Sequence, residues 1–241
     1  MTNTPGRIAI IGANGAIGTA ITDHLSSVYP EAVIDAFCRV PSHSGTNHVV
    51  RHPIEYTDTA LQSAAAQYSD TAPLDWVIVT TGLLHEPKLQ PEKSLSTLTT
   101  EQMARLFDIN AILPALVAKH FLPHLNRQTP SLCAILSARV GSISDNRLGG
   151  WYSYRMAKAA LNMFIKTASI ELKRTNPRAL IVGLHPGTVK SRLSSPFLAN
   201  TAADRIFTPE FAALKLHNVM SRLKSEDSGK CFAWDGSSIP P

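Results

Sequence analysis

The chain has 241 residues, 44% of them hydrophobic and 17% charged, which suits one large α/β domain with a substantial core and excludes a disordered or fibrous chain. Its net charge of +5 comes from scattered basic residues with no run longer than Lys173-Arg174, which argues against a nucleic-acid surface and leaves an anionic cofactor as the economical partner. Nowhere do eighteen apolar residues follow one another, and the polar stretch 1–7 has no secretory apolar region, so no membrane partner is expected.

Ile8 to Ile11 is a short aliphatic run of the kind that forms a buried parallel strand. It leads into Gly12-Ala13-Asn14-Gly15-Ala16-Ile17-Gly18 and then a helix over 17–28, ended by Tyr29-Pro30. Strand, glycine turn and helix in that order make a phosphate-binding site, because free N–H groups at the helix start face the anion. A plain tight turn is the bland alternative. The second strand, 32–38, closes on Cys38-Arg39 where an acid would be needed to hold ribose hydroxyls; an arginine there accommodates a 2′-phosphate and favours NADP over NAD. Cys38, Cys133 and Cys231 are widely spaced in apolar runs and read as free thiols of a reducing compartment, so a cytoplasmic location is expected.

A third strand is expected near 49–54, a helix over 59–68, and a fourth strand over 75–82 ending in small residues and Gly82. Residues 83–98 read as a polar loop, and a helix follows from about 100 to 122. Pro114 inside that helix deletes one backbone hydrogen bond and clashes with the carbonyl of Asn110, so a kink is expected there.

The fifth strand, 132–137, is followed by a loop with Gly141, Gly149 and Gly150 and then by a helix over 153–172. Tyr154 and Lys158 stand four apart near its start and therefore share one face. A cation near a phenol favours its ionised form and brings it closer to proton transfer at working pH. Alone, such a pair arises by chance as a half-buried tyrosine with a snorkelling lysine. Ser137 or Ser142 could reach the same face; turn or cap hydroxyls are the alternative.

A sixth strand over 179–184 breaks at His185-Pro186-Gly187-Thr188-Val189, and residues 188–206 read as a flap that closes over a ligand. His185 reads as a structural hydrogen-bonder more readily than as an acid or base. Thr208, Pro209 and Glu210 start a helix as cap, first residue and first-turn acid. A last short strand over 229–234 leaves Ile239-Pro240-Pro241 as an exposed or partner-contacting tail. The alternation of about seven strands with helices predicts a single domain over 1–241, a doubly wound parallel sheet of Rossmann type with its ligand at the carboxyl ends of the strands.

The glycine turn, Asn110, the serine region at 137, Tyr154-x-x-x-Lys158, Pro186-Gly187 and Asp235-Gly236, in this order, make the chain resemble the short-chain dehydrogenase/reductase family over nearly its whole length. The stretch from Gly141 to Tyr154 is further similar to its C-factor-like branch, which includes carbonyl reductases and a cell-surface signalling protein.

The resemblance implies that Tyr154 gives a proton to a substrate carbonyl, that Lys158 lowers its pKa and binds the nicotinamide ribose, and that Asn110 holds a relay water. It implies that Gly12, Asn14, Ile17, Gly18 and Gly82 line the cofactor, that Arg39 reads its 2′-phosphate, and that Pro186, Gly187, Thr188 and Val189 flank the nicotinamide. The expected activity is NADP-dependent hydride transfer on a small carbonyl or alcohol, without a metal. A homodimer or homotetramer is expected, packed through the helices at 100–122 and 153–172, which are apolar over more than one face.

Three positions depart from the family pattern. Ala16 replaces a third glycine, and Val79-Thr80-Thr81-Gly82 replaces Asn-Asn-Ala-Gly. Where the family's carbonyl-orienting serine belongs, three residues before Gly141, stands Ala138, with Ser137 one step earlier. Neighbouring strand residues face opposite ways, so Ser137 serves only if the strand end is distorted. The competing reading is a cofactor-binding signalling or regulatory protein with little catalysis; a nucleotide-sugar epimerase would need a longer C-terminal substrate region.

Overall fold

In the computed structural model, which describes residues 4–40, 48–200, 202 and 205–241, strand and helix alternate as the periodicity requires. The first part supplies β1 (Arg7–Ile11), α1 (Ala16–Val28), β2 (Val33–Cys38), β3 (Val49–Pro53), α2 (Asp58–Ala65) and β4 (Trp76–Val79). The second supplies α3 (Thr100–Phe107), α4 (Leu113–Phe121), β5 (Ser131–Leu136), α5 (Tyr152–Thr175), β6 (Ala179–His185), β7 (Thr188–Val189), β8 (Ile206–Phe207), α6 (Pro209–Met220), β9 (Cys231–Ala233) and β10 (Ser238–Ile239).

The main sheet has eight strands in the order β10-β9-β6-β5-β4-β1-β2-β3. All pairs are parallel except β9 with β10. Successive residues feed opposite cores, which is why the strands read as continuous apolar runs. Ile8, Ile10, Leu132 and Val182 pack with Leu216 of α6, whereas Ala9, Ile11, Cys133 and Ile181 pack with Leu161 and Ile165 of α5. The order reverses beside β1, so the glycine turn opens at the switch point where such sheets bind ligands.

The tail expected at 239–241 is corrected at Ile239 alone, since Pro240 and Pro241 are exposed as expected. Gly236, at φ +86°, turns the chain back, Ile239 is buried in β10, and the Pro241 carbonyl accepts hydrogen bonds from Ser144 Oγ at 2.6 Å and Ser144 N at 3.1 Å. A two-residue turn strand of this kind carries too little periodicity to be read in advance. The flap is also partly ordered by pairing, since β7 lies parallel to β8; residues 201, 203 and 204 of that stretch lie outside the described residues. The three cysteines are unpaired.

The long helix expected after the 83–98 loop is two helices joined by a π-helical turn, Asp108–Ile112. Pro114 has no N–H for the Asn110 carbonyl, and the turn widens around that defect. An 18-residue window within residues 100–124 has a mean hydropathy of 1.2, an apolarity that serves packing, since Leu106, Leu113, Val117 and Phe121 are all buried.

At the amino-terminal edge of the sheet, Asp35 of β2 is 1% exposed. It accepts from Arg7 Nε at 2.9 Å, Tyr68 OH at 3.0 Å and His52 Nε2 at 2.8 Å. Burial alone would raise its pKa, but the bonds from His52, Arg7 and Tyr68 and the Arg7 charge outweigh that and hold it below its ordinary value of 3.8. A depressed folded pKa contributes stability above the unfolded value, and this is lost as pH falls through the folded one. Asp35→Ala is expected to cost about 3 kcal/mol in urea unfolding at pH 7, and the gap from wild type should narrow below about pH 4.

Candidate active site

The carboxyl ends of the strands gather nearly all the residues singled out above. Gly12 sits at φ +90°, and a Cβ on it would lie 2.8 Å from Thr80 Oγ1; one on Gly18 would lie 2.3 Å from the Gly12 carbonyl. Neither position admits a side chain. Gly15 precedes α1 without a side-chain cap, and no acid stands in the first turn, so the positive end of the helix is left for an anion. Beside this cradle Thr81 Oγ1 is buried without a hydrogen-bond partner among the described residues. A narrow glycine cradle, an uncapped helix start and an orphaned hydroxyl fit the phosphates and ribose of a dinucleotide. Ile17 is half-buried and packs on the core below.

Asn14 ties the turn to neighbouring strands: its Nδ2 donates to the Val40 carbonyl, and its Oδ1 accepts from Arg51 Nη1 at 3.4 Å. Arg39 is exposed at the end of β2. Arg51, from β3, therefore joins Arg39 on this side of the turn; isolated in a short polar strand, it gave no sign of this in sequence.

Lys158 is 2% exposed. Its Nζ donates to the Leu136 carbonyl at 2.8 Å and lies 5.8 Å from the centre of the Tyr154 ring. A Cβ on Gly141 would meet the Lys158 backbone at 2.8 Å, so this glycine lets the β5 loop seat against α5. Burial drives both groups toward their neutral forms: it raises the Tyr154 phenol above its ordinary range and lowers Lys158 to about 7. The expected lowering of the tyrosine by its lysine neighbour is outweighed in the folded chain by this burial.

Asn110 is fully buried. Its Nδ2 donates to the carbonyls of Leu83 at 2.8 Å and Leu106 at 2.9 Å, and its Oδ1 accepts from Leu83 N at 3.1 Å. The π turn thus aims a side chain that pins the start of the 83–98 loop. Gly82, just before it, would place a Cβ 3.7 Å from both Asn110 Oδ1 and Leu193 of the flap. Gly187, at φ +78°, packs where a Cβ would strike the Phe207 ring; Pro186 and Thr188 are half-buried beside it and Val189 is buried.

The serine expectation is corrected. Ser137 donates its hydroxyl to Asn162 Oδ1 at 2.6 Å, and Cys231 Sγ donates to the same oxygen at 3.2 Å. Strand alternation carries Ser137 to the side of Cys133 and Ile135, under α5. Ala138 instead joins the apolar cluster around Tyr154, with Leu84, Leu89, Leu106, Val140, Trp151, Leu193 and Phe197. Ser142 accepts from Asp145 N at 3.1 Å and lies 3.4 Å from the Pro241 carbonyl, so it is a turn hydroxyl. Asn162, four residues beyond Lys158 on the same helix face, was legible in spacing but had no partner to suggest its role.

His185 Nδ1 is buried without a hydrogen-bond partner among the described residues, and burial, assisted by the Arg139 charge, pushes its pKa down to about 4. The ring is neutral at pH 7.

With its folded pKa near 7 against an ordinary 10.5, Lys158 binds fewer protons in the folded than in the unfolded chain between those values. Its burial therefore costs stability most below pH 7, and the cost fades as pH rises toward 10.5. Lys158→Met is expected to melt higher than wild type, by roughly 2 °C or more at pH 6, with a smaller gain at pH 9 by calorimetry; an equal gain at both pH values would contradict this.

A family model described as short chain dehydrogenase matches residues 7–201. The C-signal of Myxococcus xanthus is 35% identical over 139 residues, 57% of this chain and 78% of that protein. Among solved structures, the carbonyl reductase Sniffer of D. melanogaster superposes with a TM-score of 0.85 at 20% identity, covering 98% of this chain and 99% of the other. An NADPH-bound carbonyl reductase from chicken fatty liver does so with a TM-score of 0.83 at 25% identity, covering 98% and 94%. The protein belongs to the short-chain dehydrogenase family and is an NAD(P)-dependent oxidoreductase of that family.

Proposed function

We propose that the protein is an NADP-dependent reductase of small carbonyl compounds, or a dehydrogenase of the matching alcohols, with Tyr154 as the acid–base. The observation that carries this reading is the Tyr154–Lys158 pair, buried together on one face of α5 beside the Asn110 turn. When bound, the nicotinamide supplies or takes up the hydride. Tyr154 gives its proton to the carbonyl oxygen, and Lys158, once charged, stabilises the phenolate left behind. Pro186, Gly187, Thr188 and Val189 wall the nicotinamide side, while Gly12, Asn14, Ile17, Gly18 and Gly82 hold the rest of the cofactor. Arg39 reads the 2′-phosphate with help from Arg51, a preference supported by the NADPH-bound carbonyl reductase.

The cluster of leucines, Trp151 and Phe197 around Tyr154 excludes water, which strengthens every interaction with the developing alkoxide. Ala138 withholds one hydroxyl from that oxygen. For this reason, and from the similarity to C-signal, a cofactor-binding protein with little catalysis is the second reading.

Wild type is expected to oxidise NADPH faster than NADH against a carbonyl panel, with Tyr154→Phe lowering turnover at least about 10²-fold. Ser137→Ala should stay within about tenfold of wild type, whereas Ala138→Ser should raise turnover, since one preorganised donor is worth roughly 10²-fold. NADPH binding without turnover, unchanged by Tyr154→Phe, would favour the second reading instead.

We further propose a cytoplasmic homodimer or tetramer. Met156, Met163 and Ile170, spaced seven apart on α5, are 43%, 66% and 55% exposed and form a stripe suited to a second copy. Sedimentation equilibrium should give a dimer or larger, and Met163→Lys should weaken it; a monomer at all concentrations would overturn the assignment.

A further inference from the structure

Glu92 lies in the 83–98 loop, where sequence alone offers only polar chain, yet it is 2% exposed. Its carboxylate meets the start of the catalytic helix. Ser153 Oγ donates to Oε1, Ser153 N donates to Oε2 at 3.3 Å, and the Glu92 main-chain carbonyl accepts from Trp151 N at 2.6 Å. None of the ion pairs among the described residues includes it.

A buried carboxylate without a cation is costly unless donors surround it. Here they come from a helix of 24 residues whose own first turn holds no acid and whose cap, Trp151, has no capping side chain. Trp151 also sits at φ 52°, in the left-handed region. The helix therefore receives from another segment the anion and acceptors that its own sequence lacks.

The two sides of this contact are the two sides of the reacting centre. Ser153 precedes Tyr154, and the loop that carries Glu92 contributes Leu84 and Leu89 to the apolar cluster on the Tyr154 ring. At the loop's other end Asn110 holds Leu83. We infer that Glu92 is a positioning residue: it latches the substrate loop to the amino end of α5 and so sets the distance between the pocket wall and Tyr154. The kinetic part of this inference rests on the reductase reading above; the latch itself does not.

The test uses Glu92→Gln, Glu92→Ala, Ser153→Ala and the Glu92→Ala/Ser153→Ala double variant. Amide hydrogen exchange over 83–98, NADPH affinity by fluorescence, and steady-state kinetics with a carbonyl that wild type reduces are measured on each. Glu92→Ala should speed exchange over 83–98 by about tenfold or more and lower kcat/KM for the carbonyl by roughly 10- to 100-fold, chiefly through KM. NADPH affinity should stay within about twofold, because the cofactor cradle lies elsewhere. Glu92→Gln keeps one acceptor oxygen and should fall between wild type and Glu92→Ala, and the double variant should be no worse than Glu92→Ala alone.

Unchanged exchange over 83–98 in Glu92→Ala would overturn the latch. So would additive effects of the two substitutions, or a fall in kcat and NADPH binding together at constant KM, which would mark a loss of folded protein. If wild type reduces no carbonyl, the reductase reading fails and the exchange data alone decide the latch.

Discussion

Burying a lysine is the constraint on which this site depends. An ammonium out of water needs an acceptor, a close-fitting shape and a reason to stay. The Leu136 carbonyl at the end of β5 is the acceptor, and Gly141 provides the fit by letting the loop after β5 rest on the helix backbone. The burial that makes Lys158 costly also pushes its pKa to about 7. A group so poised exchanges its proton readily near neutral pH, which suits the role proposed for it beside Tyr154. The stability given up at Lys158 is the kind of local expense that active sites carry.

Around that lysine, three backbone irregularities each place one group. The π turn at Asp108–Ile112 turns the Asn110 amide onto Leu83. Gly187 admits the Phe207 ring beside Pro186 and Thr188. The left-handed Trp151 opens α5 so that its first N–H groups meet Glu92 rather than water. Irregular backbone concentrates here because regular elements spend their polar groups along their own axes, and only a break frees one to meet another segment.

Ala138 gives the pocket its character. The groups beside Tyr154 are aliphatic and aromatic, so under the proposed reading proton transfer and exclusion of water do most of what the site offers a carbonyl. Ser137, one residue away, is instead part of a polar knot with Asn162 and Cys231 under α5. That knot ties the end of β5 and the start of β9 to α5 through the Asn162 side chain.

Much of this was legible in the chain itself. Aliphatic runs specified the strands, the glycines around Gly12 specified the turn, and Thr208-Pro209-Glu210 marked a helix start whose cap accepts as chemistry requires, Thr208 Oγ1 taking a hydrogen bond from Phe211 N at 3.2 Å. The four-residue spacing of Tyr154 and Lys158 put them on one face because a helix has a fixed pitch, and Pro114 foretold the break at Asn110 because a proline has no N–H. These are local consequences of covalent structure. What tertiary structure alone decided was which polar groups meet across long separations: Ser137 with Asn162, Glu92 with Ser153, Asn14 with Arg51, Asp35 with Arg7, Tyr68 and His52. A one-residue choice of strand face sent Ser137 beneath the helix and Ala138 into the pocket, and such a choice is made by how neighbouring strands and helices pack, which spacing along a single strand does not encode.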